Sequence, residues 1–240
     1  SSDVCSSDLC SGIFQSRFSR GAGAMKKLVD GGAFGTVVVA GASTRYFRTD
    51  EYYAASDWHG TWEVDGGGAL MNQSIHAIDL LNWLIGPVTS VSAHTGTVAH
   101  PGIEVEDVAT ASLQFANGAL GTIVGSTGAY PGFDKQIEIA GTRGSATMVQ
   151  NRIAEWHFQD ERWNDVAAEG AEEDTGGSGA ADPRAVAPVL HRRQLEDVAA
   201  AIEGERPPSV TAAGARDAVA IVRAVYDSAR SGERVAVSMG

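Results

Sequence analysis

Four residues within one apolar segment carry the chemistry most readily read from this chain. Asn72, His76, Asp79 and Trp83 follow one another at spacings of four, three and four residues, which on an α-helix sets them along one stripe. The other positions between Ala69 and Ile85 are largely Leu, Ile, Met and Ala. A helix apolar on its remaining faces is buried, so a polar stripe on it must meet partners or a cavity rather than bulk water. Histidine exchanges a proton near neutral pH, and an amide one turn away can both donate to and accept from a substrate hydroxyl. Spacing alone leaves two readings open: a satisfied core pair of His and Asp that positions the helix, or a site. Asp79 reads as structural, fixing the imidazole tautomer or capping a neighbouring backbone group, and Trp83 reads as packing.

The elements that must position this stripe follow from periodicity and turn chemistry. Ile13 to Phe18 reads as a strand end, Gly23 to Asp30 as a short helix closed by Gly31-Gly32, and Thr36 to Phe47 as a long strand. Arg48 to Trp62 is turn-like and dense in rings (Tyr52, Tyr53, Trp58, Trp62), which suggests a pocket lid or a packed loop. After Gly66-Gly67-Gly68 the helix Ala69 to Ile85 runs to its stop signal, Gly86-Pro87. Short strands are expected at Val88 to Val98, Asp107 to Phe115, Leu120 to Thr127, Gln136 to Ala140, Ser145 to Val149 and Ile153 to Phe158. Asn117-Gly118 and Gly141 to Gly144 supply hairpin turns between them. Connections this short exclude crossover helices, so the sheet is mainly antiparallel. Asp160 to Pro183, acidic and Gly-rich, reads as a mobile surface loop. Val189 to Ile202 and Ala212 to Ala229 are amphipathic helices, kept apart by Pro207-Pro208.

Composition narrows the function classes. Lys and Arg total 18 against 30 Asp and Glu, a net charge of −12, so no basic stripe exists to neutralise a nucleic-acid backbone. No run approaches the roughly 20 apolar residues that cross a bilayer. Cys5 and Cys10 match neither a zinc-knuckle nor a redox spacing, and a chain otherwise free of cysteine is expected in the cytoplasm. Ser1 to Leu9 has no apolar signal-peptide centre and reads like a translated sequencing adapter. Residues 1–11 are accordingly expected to be a non-native leader on an N-terminally truncated chain, with one domain over 12–240.

The string from Asp65 to Asp79, Asp-Gly-Gly-Gly-Ala-Leu-Met-Asn-Gln-Ser-Ile-His-Ala-Ile-Asp, resembles the signature of the glucose-fructose oxidoreductase, inositol dehydrogenase and rhizopine-catabolism (Gfo/Idh/MocA) family. The resemblance extends to Trp58-His59-Gly60-Thr61-Trp62, to Phe115 to Ala119, to Ile139 to Ser145 and to Val225 to Ala229, and covers nearly all of Gly12 to Val237. It implies an α+β domain, an open and mainly antiparallel sheet with helices on one face, which is the C-terminal half of a two-domain dehydrogenase whose Rossmann domain is missing here. It also implies a sugar or polyol substrate, NAD or NADP bound mainly by the missing domain, and a homo-oligomer formed through the open sheet face. By the same resemblance His76 takes part in proton transfer as the catalytic residue. Asn72 binds substrate where many members carry Asp, and being an amide it cannot act as a base. Arg17, Arg45, Tyr52 and Trp62 are further candidates to bind a sugar by guanidinium hydrogen bonds or ring stacking, whereas His191, beside Arg192 and Arg193, reads as solvated.

The family's Glu-Lys-Pro lysine has no counterpart string in this chain. Gly21-Ala22-Gly23 lacks the third glycine of a dinucleotide fingerprint, and no zinc-spaced cluster is present. The function expected of the whole enzyme is hydride transfer between nicotinamide and a secondary alcohol of a sugar, sugar nucleotide or cyclitol. The fragment alone is expected to be inactive. The rivals are an NAD-dependent glycosidase of the same family and a non-catalytic sugar-binding or assembly module.

Overall fold

The computed structural model describes residues 10–172, 179–182 and 188–238. Its helices are α1 (Arg20–Asp30), α2 (Asp50–Ala54), α3 (Ile75–Ile85), α4 (Trp163–Glu169), α5 (Val189–Glu203) and α6 (Ala212–Ser231). Its strands are β1 (Val37–Arg45), β2 (Val88–Gly96), β3 (Val108–Phe115), β4 (Leu120–Ser126), β5 (Gln136–Gly141), β6 (Gly144–Val149), β7 (Arg152–Phe158) and β8 (Val235–Ala236). The strands form one sheet in the order β7-β6-β5-β1-β4-β3-β2-β8. Each neighbouring pair is antiparallel except β1 with β4. The parallel pair arises because β1, earliest in the chain, is inserted between β4 and β5. The segment from Thr127 to Lys135 must therefore cross the end of β1, and Phe133 N–H donates to the Arg45 carbonyl there (2.8 Å).

Strand alternation decides which face is covered. Ala40 and Ala42 of β1, Ala109, Ala111 and Leu113 of β3, Ile123 of β4, and Ile137 and Ile139 of β5 all point to one side. There they form a continuous core with Met25 and Leu28 of α1, Leu80, Leu81 and Leu84 of α3, and Ile221, Val222 and Val225 of α6. The intervening residues face outward, and among them Val39 and Leu120, directly paired across β1 and β4, are 45% and 59% exposed. The expected open sheet with helices on one face is thus observed. The Asn117-Gly118 hairpin is also present: Gly118 adopts φ 89° and Asn117 Oδ1 accepts from Ala119 N–H.

Three expectations need correction. Ile13 to Phe18 is no strand end; Gln15–Phe18 forms a 3-10 turn that leads into α1, whose first turn is capped by Ser19 Oγ accepting from Ala22 N–H. Asp160 to Pro183 is not wholly loop: α4 lies within it and packs on α1, where Lys27 pairs with Glu169 (3.1 Å). Seven residues of low periodicity gave no helical signal, and the contacts with α1 and β7 hold them. Part of that predicted loop, 173–178 and 183, lies outside the described residues. The edge strand β8, two residues against Ser90 and Val91, was too short to carry an alternation.

The third correction bears on the site. The helix expected over Ala69 to Ile85 is two elements, a π-turn over Ala69–Ser74 followed by α3. A π-turn carries one more residue than an α-helical turn, so residues on either side of it are rotated by about 100° relative to an unbroken helix. Among the described residues no helix is long and apolar enough to cross a membrane.

Candidate functional site

The π-turn divides the predicted stripe between two neighbourhoods. Asn72, within the turn, donates from Nδ2 to Asp65 Oδ1 (2.5 Å), and its Oδ1 accepts from Gln73 Nε2 (2.7 Å). Gln73 continues the chain of polar contacts, donating to the Tyr52 hydroxyl (3.3 Å) and accepting from Arg48 Nη2 (2.7 Å). The Arg48 guanidinium is buried beneath the Tyr52 ring and also donates to the carbonyls of Phe47, Gly179 and Ala180. It therefore anchors this end of the network instead of offering a free cation.

His76, on α3, has different company. Its ring meets the edge of Phe14 at 5.6 Å, and its Nδ1 is buried without a hydrogen-bond partner among the described residues. Burial is the main cause that brings the imidazole down to about 4, with the charges of Lys135 and His191 acting in the same direction. The ring is therefore neutral at pH 7 and retains a lone pair for a proton. His191, expected to be solvated, is half-buried on α5 and close enough for its charge to act on His76.

Lys135 is buried, donates from Nζ to Ser16 Oγ (2.7 Å), and is lowered to about 8, chiefly by burial. Asp79 neither fixes the His76 tautomer nor caps a backbone group. It is 1% exposed and receives both Nε (2.8 Å) and Nη2 (2.5 Å) of Arg17. Burial still pushes its carboxyl up, against the pull of Arg17. Trp83 lies under the Arg17 guanidinium at 5.5 Å, as a packing residue should.

The remaining candidates fall out unevenly. His76 packs against Phe14 of the turn that also carries Arg17, whose guanidinium is held by Asp79. Tyr52 and Asn72 are joined through Gln73. Trp62 lies beside this second group, its indole N–H on the Glu104 carbonyl (3.0 Å) and its ring against Tyr226 (5.3 Å). Arg45 does not join. It alternates with buried Ala42 and Thr44, so it lies on the open face of β1, over the Phe133 ring at 5.0 Å. The residues missed in the sequence are Arg48, Asp65, Gln73 and Lys135. Asp65 and Gln73 stood inside the signature string, whereas Lys135, alone directly before β5, gave no periodic signal.

Gly21 and Gly23, the glycines weighed above as a dinucleotide fingerprint, lie inside α1. A cofactor cradle needs them at a strand-to-helix turn, so the described residues do not by themselves fit a nicotinamide cofactor. Among the described residues no group of three or more His, Cys, Asp or Glu could hold a metal ion.

With this fold and signature in place, the class is defined: the chain belongs to the GFO/IDH/MocA C-terminal domain family, whose model matches residues 23–147. Individual relatives give the family context. The chain is 38% identical over 90 residues to the uncharacterized oxidoreductase YrbE of Bacillus subtilis (strain 168), an alignment covering 36% of this chain and 26% of that protein. It is 30% identical over 89 residues to inositol 2-dehydrogenase 2 of Paenarthrobacter aurescens (strain TC1), covering 35% and 26%. Among solved structures, the WlbA dehydrogenase of Bordetella pertussis in complex with NADH and UDP-GlcNAcA superposes with a TM-score of 0.81 at 32% identity, covering 95% of this chain and 64% of that one. Levoglucosan dehydrogenase in complex with NADH shares the fold with a TM-score of 0.75 at 20% identity, over 95% and 65%. The chain thus spans less than two thirds of the solved relatives' length and aligns to about a quarter of the other two.

Proposed function

We propose that this chain is the substrate domain of a cytoplasmic NAD(P)-dependent oxidoreductase that moves hydride between nicotinamide and a secondary alcohol of a sugar, sugar nucleotide or cyclitol. The observation that carries the reading is His76: a neutral imidazole on the signature helix, with a buried and unpartnered Nδ1. An alcohol that loses hydride must also lose its hydroxyl proton, and a neutral imidazole can accept or relay one. Asn72 would hold a neighbouring hydroxyl by exchanging its bonds to Asp65 and Gln73 for bonds to substrate, with Tyr52 and Trp62 flanking it and Arg17 acting near His76. The cofactor, held mainly by residues outside this chain, would supply the hydride acceptor. The solved relatives named above hold NADH, one with a sugar nucleotide, and a further relative is named for inositol, which supports a polyhydroxylated substrate.

The open sheet face supports assembly with a second copy of the chain, because exposed Val39 and Leu120 stand side by side on it.

The test is to express the full-length protein and follow nicotinamide reduction by absorbance across a panel of sugars, sugar nucleotides and inositols. Substrate-dependent reduction is expected. His76→Ala should lower turnover by about 10²- to 10⁴-fold with cofactor affinity nearly unchanged; undiminished turnover would remove His76 from catalysis. No reduction with any polyol, in a protein that binds cofactor, would turn the reading toward the NAD-dependent glycosidase or a sugar-binding module.

A further inference from the structure

Immediately before the π-turn, Gly67 and Gly68 run against a buried carboxylate that takes no part in the reading above. Glu106, 4% exposed, sits at the entrance to β3. Its Oε2 accepts from Gly68 N–H (3.0 Å) and its Oε1 from Leu70 N–H (2.9 Å), while its own carbonyl accepts from Ala69 N–H (2.9 Å). Three successive backbone donors, those that open the π-turn, thus end on one residue. Oε1 also accepts from the hydroxyl of Tyr226, on α6 (2.9 Å).

Among the described residues no ion pair compensates the carboxylate. Burial pushes its carboxyl up, and the N–H and O–H donors pull it back. The approach is so close that a Cβ on Gly68 would lie 1.8 Å from the Glu106 carbonyl oxygen, which is why the chain has glycine there. The far side of the turn is closed by Ser74 Oγ donating to the Ala69 carbonyl (2.8 Å).

We propose that Glu106, fixed by Tyr226, is the positioning residue of the site: it holds Ala69–Ser74 in the π-turn and so sets the direction of Asn72 relative to His76. This rests on the dehydrogenase reading for its functional consequence, though not for its structural one. An α-helix over the same residues, one residue tighter per turn, would rotate Asn72, which lies inside the turn, by part of that roughly 100° about the helix axis with respect to α3, away from Asp65, Gln73 and the ring-lined loop. The acid costs burial, and a Gln there can no longer accept with two oxygens from donors on both sides.

The experiment uses the full-length protein carrying Glu106→Gln, Asn72→Ala, and both. Glu106→Gln is expected to lower kcat/KM for the sugar by about 100-fold, the usual consequence of a misplacement near 1 Å, mainly through KM and with cofactor affinity unchanged. In the Asn72→Ala background the same change should add little, because both substitutions remove one arrangement. Additive losses, or kcat and KM unaltered per folded molecule, would overturn the proposal.

Hydrogen exchange gives a readout independent of activity. Amides of residues 68–74 should exchange faster in Glu106→Gln while those of the central sheet stay protected; unchanged protection at 68–74 overturns the positioning role even in an active enzyme. An inactive wild-type protein that still shows the localised exchange would sink the dehydrogenase reading alone. Should Glu106→Gln fail to fold, Tyr226→Phe keeps the carboxylate and removes one of the two donors to Oε1, and the same two measurements apply with a smaller expected effect.

Discussion

If His76 is held neutral by its surroundings, acid should destabilise the protein through this one residue. An ordinary imidazole titrates near 6.5 and the folded one at about 4. Between those values the unfolded chain binds a proton that the folded chain refuses, so stability is full above 6.5, falls as the pH drops through the window, and reaches its complete loss below 4. At about 1.4 kcal/mol per pH unit the whole window is worth about 3 kcal/mol, of which about 2 kcal/mol is gone by pH 5, before most carboxylates protonate.

Against a typical total of roughly 5 to 15 kcal/mol this is a large share. Urea unfolding of the full-length protein at pH 7, 6 and 5 should show wild type losing about 2 kcal/mol more than His76→Gln across that range. Parallel losses in the two proteins, or an imidazole NMR titration of His76 with its midpoint near 6.5, would refute the reasoning. Lys135→Met removes one of the charges that oppose protonation, so the His76 midpoint should rise in that variant while remaining below the ordinary value.

Two further outcomes test neighbouring features. Arg17→Met strands Asp79 as an unpaired buried charge and should cost about 3 to 5 kcal/mol in urea unfolding, whereas replacing Arg17 and Asp79 together by Met and Leu should recover most of that loss; a cost below about 1 kcal/mol for the single change would mean Asp79 reaches water. Leu120→Asp places a charge on the open sheet face beside Val39, and light scattering should show a smaller assembly with the monomer fold intact by circular dichroism; an unchanged mass would place the contact between copies elsewhere.

Most of the sheet was legible because each strand obeys a local rule. Alternation in β3 and β4, Asn117-Gly118 between them, and Gly141 to Gly144 between β5 and β6 are written in neighbouring residues. Helix α4 was not legible, because seven residues in an acidic, Gly-rich stretch form a helix only through their contacts with α1 and β7. Arg45 stands apart from the other candidates for a related reason. A guanidinium near an aromatic loop in sequence can still point through the sheet to its other side, and that is fixed by the parity of its position in β1.

By itself the sequence singled out the two residues proposed for the site, Asn72 and His76, and the glycines that introduce them, since residue type and spacing suffice to mark these as candidates. Tertiary structure alone decided that the two meet different neighbours, because Asn72 lies in a π-turn whose opening N–H groups end on Glu106, more than thirty residues away at the entrance to β3, and no periodicity encodes that contact. It likewise decided the partner of Asp79 and the state of His76. Burial and the approach of Arg17, Lys135 and His191 arise from separate elements, and the charge a side chain carries depends on what surrounds it in space.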